Sequence, residues 1–519
     1  MKYPIGIQNF EKLVNDGYVY VDKTALIYKL ATSGNYYFLS RPRRFGKSLL
    51  ISTMEAYFSG KRELFRGLAL YDLEKDWTEY PILHLDLNSR LYENAESLKL
   101  ELNKHLEMWE HLYGDEFKDR ALEERFYHII SKAYEKTGQR VVILVDEYDK
   151  PMLQSIGNAE LQDEYRNILK AFYSVLKTQD RYIRFAFLTG VTKFGKVSVF
   201  SDLNNLEDIS MLADYIEICG ITEQEIHRIF DDEVGKLAEN EKISKEQCYE
   251  KLKINYDGYH FRQKSVGLYN PFSLLNTLKN REFRDYWFET GTPSFLVQVL
   301  QNADYDLNDL QNEPVSADLI NSVDSMARNP IPVIYQSGYL TIKGYDEEFR
   351  MYNLGFPNKE VENGFIKYLL PLYTPVEERK TEFYIANFVT DIRKGRVDSF
   401  LERLQTLFTD GDYRITGKME KYFQNSMYLI FKMMGFYVDV ERATSRGRID
   451  IVMKTNDYIY VMELKLDGTA EDALKQIEDK GYAEPFHNDQ RQLYMIGVNF
   501  SSETRGIEKW KIKTTEKGM

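Results

Sequence analysis

Residues 36–52 read YYFLSRPRRFGKSLLIS, and the fold turns on how this stretch is understood. An apolar run (36–40) leads into a basic turn, and Gly46-Lys47-Ser48 opens a second apolar run. That is the order of a phosphate-binding loop: a strand delivers backbone N–H groups to a turn, and the next helix adds its N-terminal dipole. Lys47 would reach the β- and γ-phosphates, and Ser48 would ligate Mg²⁺. The usual loop begins with glycine five positions before Gly46, where this chain has Arg41. The missing glycine supplies a backbone angle that another residue can adopt with help. Pro42 stiffens the turn. Arg41, Arg43 and Arg44 crowd positive charge there, which an anion would offset. A basic surface turn with a chance Gly-Lys-Ser is the plain alternative.

Residues 141–151, VVILVDEYDKP, weigh against that alternative. An apolar run ending in two carboxylates reads as a buried parallel strand that presents acids at its C-terminal end. Asp146 would complete the Mg²⁺ shell with Ser48. Glu147 would orient and deprotonate the attacking water. A third run, RFAFLTGVTKFGK (184–196), ends its strand at Thr189. In phosphate-loop ATPases with an additional strand between the two motif strands, a polar residue here senses the γ-phosphate. Thr189 suits that task, and Lys193 is a second candidate. The ATP-binding set is therefore Arg43, Arg44, Gly46, Lys47, Ser48, Asp146 and Thr189.

A second constellation lies in RGRIDIVMKTNDYIYVMELKL (446–466). Asp450 sits in one strand. Glu463 and Lys465 sit in the next, one residue apart, so both point to one face. Two carboxylates on adjacent strands can share a divalent metal, Mg²⁺ or Mn²⁺. A lysine beside them can position a water and stabilise charge developing on phosphorus. Glu420, on the preceding helix, is placed to add a third carboxylate, and Gln476, on the following helix, an accessory side chain. Arg446 and Arg448 flank Asp450 and could hold phosphate. Surface ion pairing between Glu463 and Lys465 is the ordinary alternative.

Beyond these motifs, 519 residues with 43% hydrophobic content call for several packed domains. No apolar run approaches the ~18 residues that span a bilayer, and the N-terminus lacks a signal-peptide core. Two cysteines, Cys219 and Cys248, support neither a disulfide framework nor a cysteine zinc site. A cytoplasmic location away from the membrane is the expectation. The formal charge is −13, yet residues 413–519 hold 17 Lys and Arg against 16 Asp and Glu, so this segment lacks the acidic excess that repels polyanions. Expected strands are 36–40, 82–87, 141–146, 184–189 and 215–218, with helices at 47–58 and within 93–112. From the capping box at Thr222 and Glu225 the pattern is mainly helical to about 340. C-terminally we expect a helix at 419–434, strands at 437–441, 449–454 and 458–464, and a helix at 469–480. The division is a P-loop domain (1–220), a helical, winged-helix-like lid (221–345), a helical connector (346–410) and a small α/β domain (411–519).

Taken together the motifs resemble those of bacterial AAA-ATPase-like proteins fused to a C-terminal PD-(D/E)XK nuclease-superfamily domain. The resemblance runs nearly end to end. It rests on PIGIQNFEKL and YVYVDKT (4–24), RPRRFGKSLLIS, VVILVDEYDKP, FLTGVTKF, YDGYHF with LYNPFSLL (256–275), YWFETGTPSFL (286–296), and GRIDIVM with YVMELKLDGTAEDALKQIEDKGYAE (447–484). Family members share RPRRFGKS, so Arg41 looks like a family trait. The resemblance implies an α/β chain: a P-loop parallel sheet of the additional-strand type with a helical lid, then a restriction-endonuclease-like domain. It implies ATP at Gly46, Lys47 and Ser48, hydrolysis by Asp146 and Glu147, and a nuclease metal site at Asp450, Glu463 and Lys465. Nucleic acid, DNA first, is the expected partner, and a homo-oligomer is open. The competing reading is a nucleotide-dependent switch whose C-terminal domain binds nucleic acid without cutting it. The triplet Asp22-Lys23-Thr24 reads as a helix cap with a local ion pair, or as the border of the adenine pocket. Arg262 is a lid residue within conceivable reach of phosphate.

Overall fold

The computed structural model describes residues 1–193, 199–200, 203, 205–289, 296, 299–300, 305–310, 314–321, 329–374, 380–409, 419–435, 437–445, 448–504 and 506–514; the side chains of residues 289, 308, 409, 419–422, 441–445 and 448–450 lie outside the description. The chain forms two compact units, Met1–Ala303 with Gln311–Glu362, and Asp304–Leu310 with Asn363–Met519.

The first unit is built on five parallel strands: β1 (Tyr36–Ser40), β2 (Ile82–Asp86), β3 (Val141–Asp146), β4 (Ile183–Gly190) and β5 (Glu207–Asp208), in the order β2-β3-β4-β1-β5. Every residue of β1 and β3 is buried, as expected of strands covered on both faces. Helices Lys47–Phe58, Ala95–Tyr113, Leu122–Thr137 and Ala159–Thr178 connect them. Strand β4 lies between β1 and β3, with Ser40 opposite Gly190 and Val145 opposite Leu188. Ser40, Thr189 and Asp146 therefore end on one edge, where open α/β sheets place their ligands.

The expected strand at 215–218 is instead a 3₁₀ turn, Ala213–Ile218, and the edge strand is the shorter β5. Four apolar-rich residues cannot be assigned by periodicity. Here Tyr215, Ile216 and Ile218 are buried while the main-chain carbonyls of Tyr215 and Ile216 face the Arg41 guanidinium.

Beyond β5, the capping box at Thr222 and Glu225 is present in full and starts the helix Glu223–Ile229. Helices Asp231–Glu241, Lys245–Tyr256 and Pro271–Asn280 pack around Phe230, Leu237, Leu252 and Leu274. A small antiparallel sheet, unforeseen in the helical pattern, follows: β6 (Val315–Ser316), β7 (Thr341–Asp346) and β8 (Met351–Gly355), ordered β6-β8-β7.

The second unit holds a mixed sheet of β9 (Asp439–Ser445), β10 (Arg448–Lys454), β11 (Tyr458–Leu466), β12 (Gln492–Ser501) and β13 (Gly506–Thr514), ordered β13-β12-β11-β10-β9. Only β11 and β12 run parallel, joined through the helix Ala470–Asp479. Thr469 caps that helix by accepting from the Asp472 N–H. Helices Thr381–Arg393, Val397–Thr409 and Met419–Met434 pack in the same unit. The sequence pattern did not disclose β12 and β13, and β9 begins two residues later than expected. Among the described residues no helix is long and apolar enough to cross a membrane.

Candidate functional site

At the end of β1 the chain turns through Arg41–Phe45 into the helix Lys47–Phe58. The left-handed turns fall at Arg44 (φ +67°) and Gly46 (φ +93°). Gly46 caps the helix with no side-chain hydrogen bond, and a Cβ on it would meet nothing within 4 Å. The first N–H groups of this helix thus have no side-chain cap, the condition under which a helix start accepts phosphate. Ser48 sits partly buried in its first turn.

Arg41, at the missing-glycine position, is 1% exposed and points inward. Its guanidinium donates to the carbonyls of Ser40 (2.9 Å) and Ser210 (2.7 Å) and to that of Ile216 (3.3 Å). It also lies 4.1 Å from the centre of the Phe261 ring. Burial lowers its pKa to about 10. Arg41 is thus a structural tie, and the loop's outward charge comes from Arg43 and Arg44, both exposed. The Arg43 carbonyl accepts from the Trp287 indole (3.3 Å), and the Arg44 guanidinium stands 5.2 Å from the Phe272 ring.

Lys47 is buried, and its ammonium donates to the carbonyls of Arg41 (2.9 Å) and Pro42 (3.1 Å). Burial lowers its pKa; the nearby Glu147, Asp146 and Asp149 counter part of that effect. Asp146 accepts from the Thr189 hydroxyl (2.6 Å) and from the Glu147 N–H (3.0 Å). Glu147 sits at φ +53°, a region non-glycine residues enter only when their surroundings impose it. Burial raises its pKa, with Lys47 acting in opposition. Lys47, Asp146, Glu147 and Thr189 are therefore brought together. Lys193 is directed elsewhere: its ammonium pairs with Asp208 (2.9 Å) and donates to Asn321 (2.6 Å).

Beside Gly46 opens a mainly apolar cleft lined by Val19, Val21, Phe45, Leu49, Ile221 and Leu275, with Lys23 at its wall. Lys23 pairs with Glu225 at 2.5 Å, so its ion pair is long-range, not local. Asp22 accepts from the N–H and hydroxyl of Thr24 (2.8 and 2.7 Å) and from the Ala69 N–H (2.8 Å). A loop with an open helix start, a buried lysine and an adjoining apolar cleft fits a nucleoside polyphosphate. The cleft-lining residues carry no motif of their own; the only sequence signal was their nearness to YVYVDKT.

In the second unit, β10 and β11 pair so that Asp450 stands directly opposite Glu463. Glu463 is 0% exposed. Its Oε1 accepts from the Lys465 ammonium at 3.4 Å, whereas its Oε2 is buried and has no hydrogen-bond partner among the described residues. The Lys465 ammonium also donates to Oε1 of Gln476, whose Nε2 is buried with no partner among the described residues. A buried carboxylate oxygen without a donor is costly, and a cation would satisfy it. The Asp450, Glu420 and Arg448 side chains, and Arg446 altogether, lie outside the described residues. Among the described residues no three His, Cys, Asp or Glu side chains are grouped to hold a metal. Among the described residues no hydrogen bond or ion pair is seen between the Arg262 side chain and the loop.

The class defined by this fold is a P-loop-type parallel sheet joined to a nuclease-type mixed sheet. Comparison with known families agrees: the family described as predicted AAA-ATPase matches residues 4–200, and the PD-(D/E)XK nuclease superfamily matches residues 418–510. The chain is also 36% identical over 525 residues, covering 98% of each chain, to an uncharacterized protein in the vnfD 5′ region of Azotobacter chroococcum mcd 1. This chain belongs to that family of AAA-ATPase-like proteins with a C-terminal PD-(D/E)XK nuclease-superfamily domain.

Proposed function

We propose that the protein binds and hydrolyses ATP in its first unit and cuts nucleic acid, DNA foremost, in its second. The observation that carries the nuclease reading is the buried Glu463 carboxylate, one oxygen of which has no donor among the described residues, opposite Asp450 and beside Lys465. Asp450 and Glu463, with Glu420, would hold the metal; when bound, Mg²⁺ or Mn²⁺ supplies positive charge to the phosphate and lowers the pKa of a coordinated water. Lys465, kept in place by Gln476 and Glu463, stabilises charge on the phosphorus oxygens and steadies the water.

In the first unit Gly46 and the helix start would receive the phosphates, with Lys47, Arg43 and Arg44 adding positive charge. Ser48 and Asp146 would hold Mg²⁺, which when bound neutralises phosphate charge. Thr189 positions Asp146. Glu147, its pKa raised by burial, is shifted toward the range in which a carboxylate takes a proton from water. On this assignment residues 1–220 bind nucleotide, 221–345 form the lid, 346–410 connect, and 411–519 act on nucleic acid. A cytoplasmic role in defence or DNA repair suits such coupling, and self-association is part of the same proposal.

The test is plasmid nicking in Mn²⁺, wild type against Glu463→Ala, with and without ATP. Nicking by wild type should fall at least 100-fold in the variant. Wild type that binds plasmid without nicking it would remove the nuclease reading and leave the nucleotide switch.

A further inference from the structure

The turn after β4, residues 191–193, has both sides occupied by buried side chains. On the side of the acid pair, Asp149 is 1% exposed. Its carboxylate accepts from the N–H groups of Val191 (3.2 Å) and Thr192 (2.6 Å) and from the Thr192 hydroxyl (2.7 Å). The preceding residue joins the same turn: the Tyr148 N–H donates to the Thr189 carbonyl (3.0 Å) and its hydroxyl to the Thr192 carbonyl (3.1 Å). Gly190 leaves room for this clasp, since a Cβ there would lie 2.6 Å from Asp149. Glu147, at its left-handed φ, is thus held between Asp146 on the strand and a two-residue clamp on the turn.

On the other side stands Gln336, the last residue of the helix Ile331–Gln336 and 6% exposed. Its Oε1 accepts from the Lys193 N–H at 2.6 Å, and its Nε2 donates to the Ile320 carbonyl at 2.7 Å. One amide therefore satisfies two main-chain groups from segments more than a hundred residues apart. Buried main-chain groups have no water to turn to, so the turn and the helix Ala317–Asn321 move together or lose both bonds. The Lys193 side chain adds a second tie to the same helix through Asn321.

We propose that Gln336 is a positioning residue for ATP turnover: it links the lid to the turn that holds Glu147 in its left-handed conformation. The inference rests on the ATPase reading above. It assigns Gln336 no contact with nucleotide; the residue acts through Lys193, Thr192 and Asp149 on the placement of Glu147.

The experiment is steady-state ATP hydrolysis by the full chain, with ATP affinity measured separately by equilibrium binding. Gln336→Leu removes both bonds. Gln336→Glu keeps the shape and the acceptor for Lys193 but loses the donor to Ile320, and it guards against a failure of the first variant to fold. Both should lower kcat, Gln336→Leu by about tenfold, equivalent to ~1.4 kcal/mol, while the ATP dissociation constant stays within about twofold. If clasp and lid act as one unit, Gln336→Leu combined with Thr192→Val should be no slower than the slower single variant. A purely structural role would instead shift affinity or melting temperature and leave kcat per folded molecule unchanged. Wild-type kcat in either folded variant, or a multiplicative double variant, overturns the proposal alone. Wild-type protein that fails to hydrolyse ATP overturns it together with the ATPase reading.

Discussion

Arg41 stands where the common phosphate loop has glycine, yet it is not a degraded glycine. Its side chain has left the loop and fills a buried slot of main-chain carbonyls under Phe261. The left-handed residues of the loop are Arg44 and Gly46. Restoring the common pattern with Arg41→Gly should therefore weaken the site. It leaves the Ser210 and Ile216 carbonyls without this donor, at roughly 1–3 kcal/mol each, and adds backbone freedom worth about 0.5–1 kcal/mol. A lower melting temperature and at least tenfold weaker ATP binding are expected. Equilibrium titration with a fluorescent ATP analogue measures it, and glycine binding as tightly as arginine would refute the tie. Arg41 was legible in the sequence as an anomaly, not as a solution, because its partners lie some 170 residues downstream.

At the scale of elements, two contacts decide whether the sites hold together. The helix Ala470–Asp479, which carries Gln476, rests on β12 at Gly497, where a Cβ would lie 2.2 Å from the Ala470 carbonyl and 2.6 Å from the Leu474 N–H. Gly497→Ala must lift the helix at backbone level, an overpacking cost of about 1–3 kcal/mol. Urea unfolding of the C-terminal unit should show that loss, with nicking reduced as Lys465 loses its Gln476 partner. A variant as stable as wild type would mean the helix has slack there.

The helix Lys359–Tyr373 carries Glu360 in its first turn, 1% exposed, accepting from the Ser273 hydroxyl (2.9 Å) and the Trp287 N–H (2.8 Å). Burial raises its pKa to about 8. The folded state then binds a proton that the unfolded chain releases near the ordinary carboxylate range. Stability from this group is full below that range and declines as pH rises to about 8, by up to ~1.4 kcal/mol per pH unit. Melting temperatures from pH 5 to 9 should fall for wild type and flatten for Glu360→Gln. Parallel curves would assign the slope to other groups.

On the scale of the whole molecule, the family pairs an AAA-ATPase-like domain with a PD-(D/E)XK nuclease-superfamily domain in one chain, and the proposed function requires the two to communicate. ATP should change the rate of Mn²⁺-dependent nicking by fivefold or more, the range of ordinary allosteric coupling. Lys47→Ala should abolish that response and retain the ATP-free rate. Nicking that responds to ATP equally in both proteins would place the effect outside the phosphate loop. The arginine-rich loop and the D…ExK triplet were legible because each is a local pattern: a strand–turn–helix order in one case, a period of two in the other.

What the sequence determined by itself was the local geometry of the candidate sites. Gly46, Lys47 and Ser48 open a helix because strand, turn and helix patterns follow one another without a break. Glu463 and Lys465 share a face because side chains alternate along any strand. The tertiary structure alone decided which segments became neighbours. It set β4 between β1 and β3, put Asp450 opposite Glu463, turned Arg41 inward and drew Lys193 to Asp208 and Asn321. The division is physical: dihedral preference and periodicity act within a few residues, whereas pairing and burial depend on partners distant in the chain, whose contributions no local window contains.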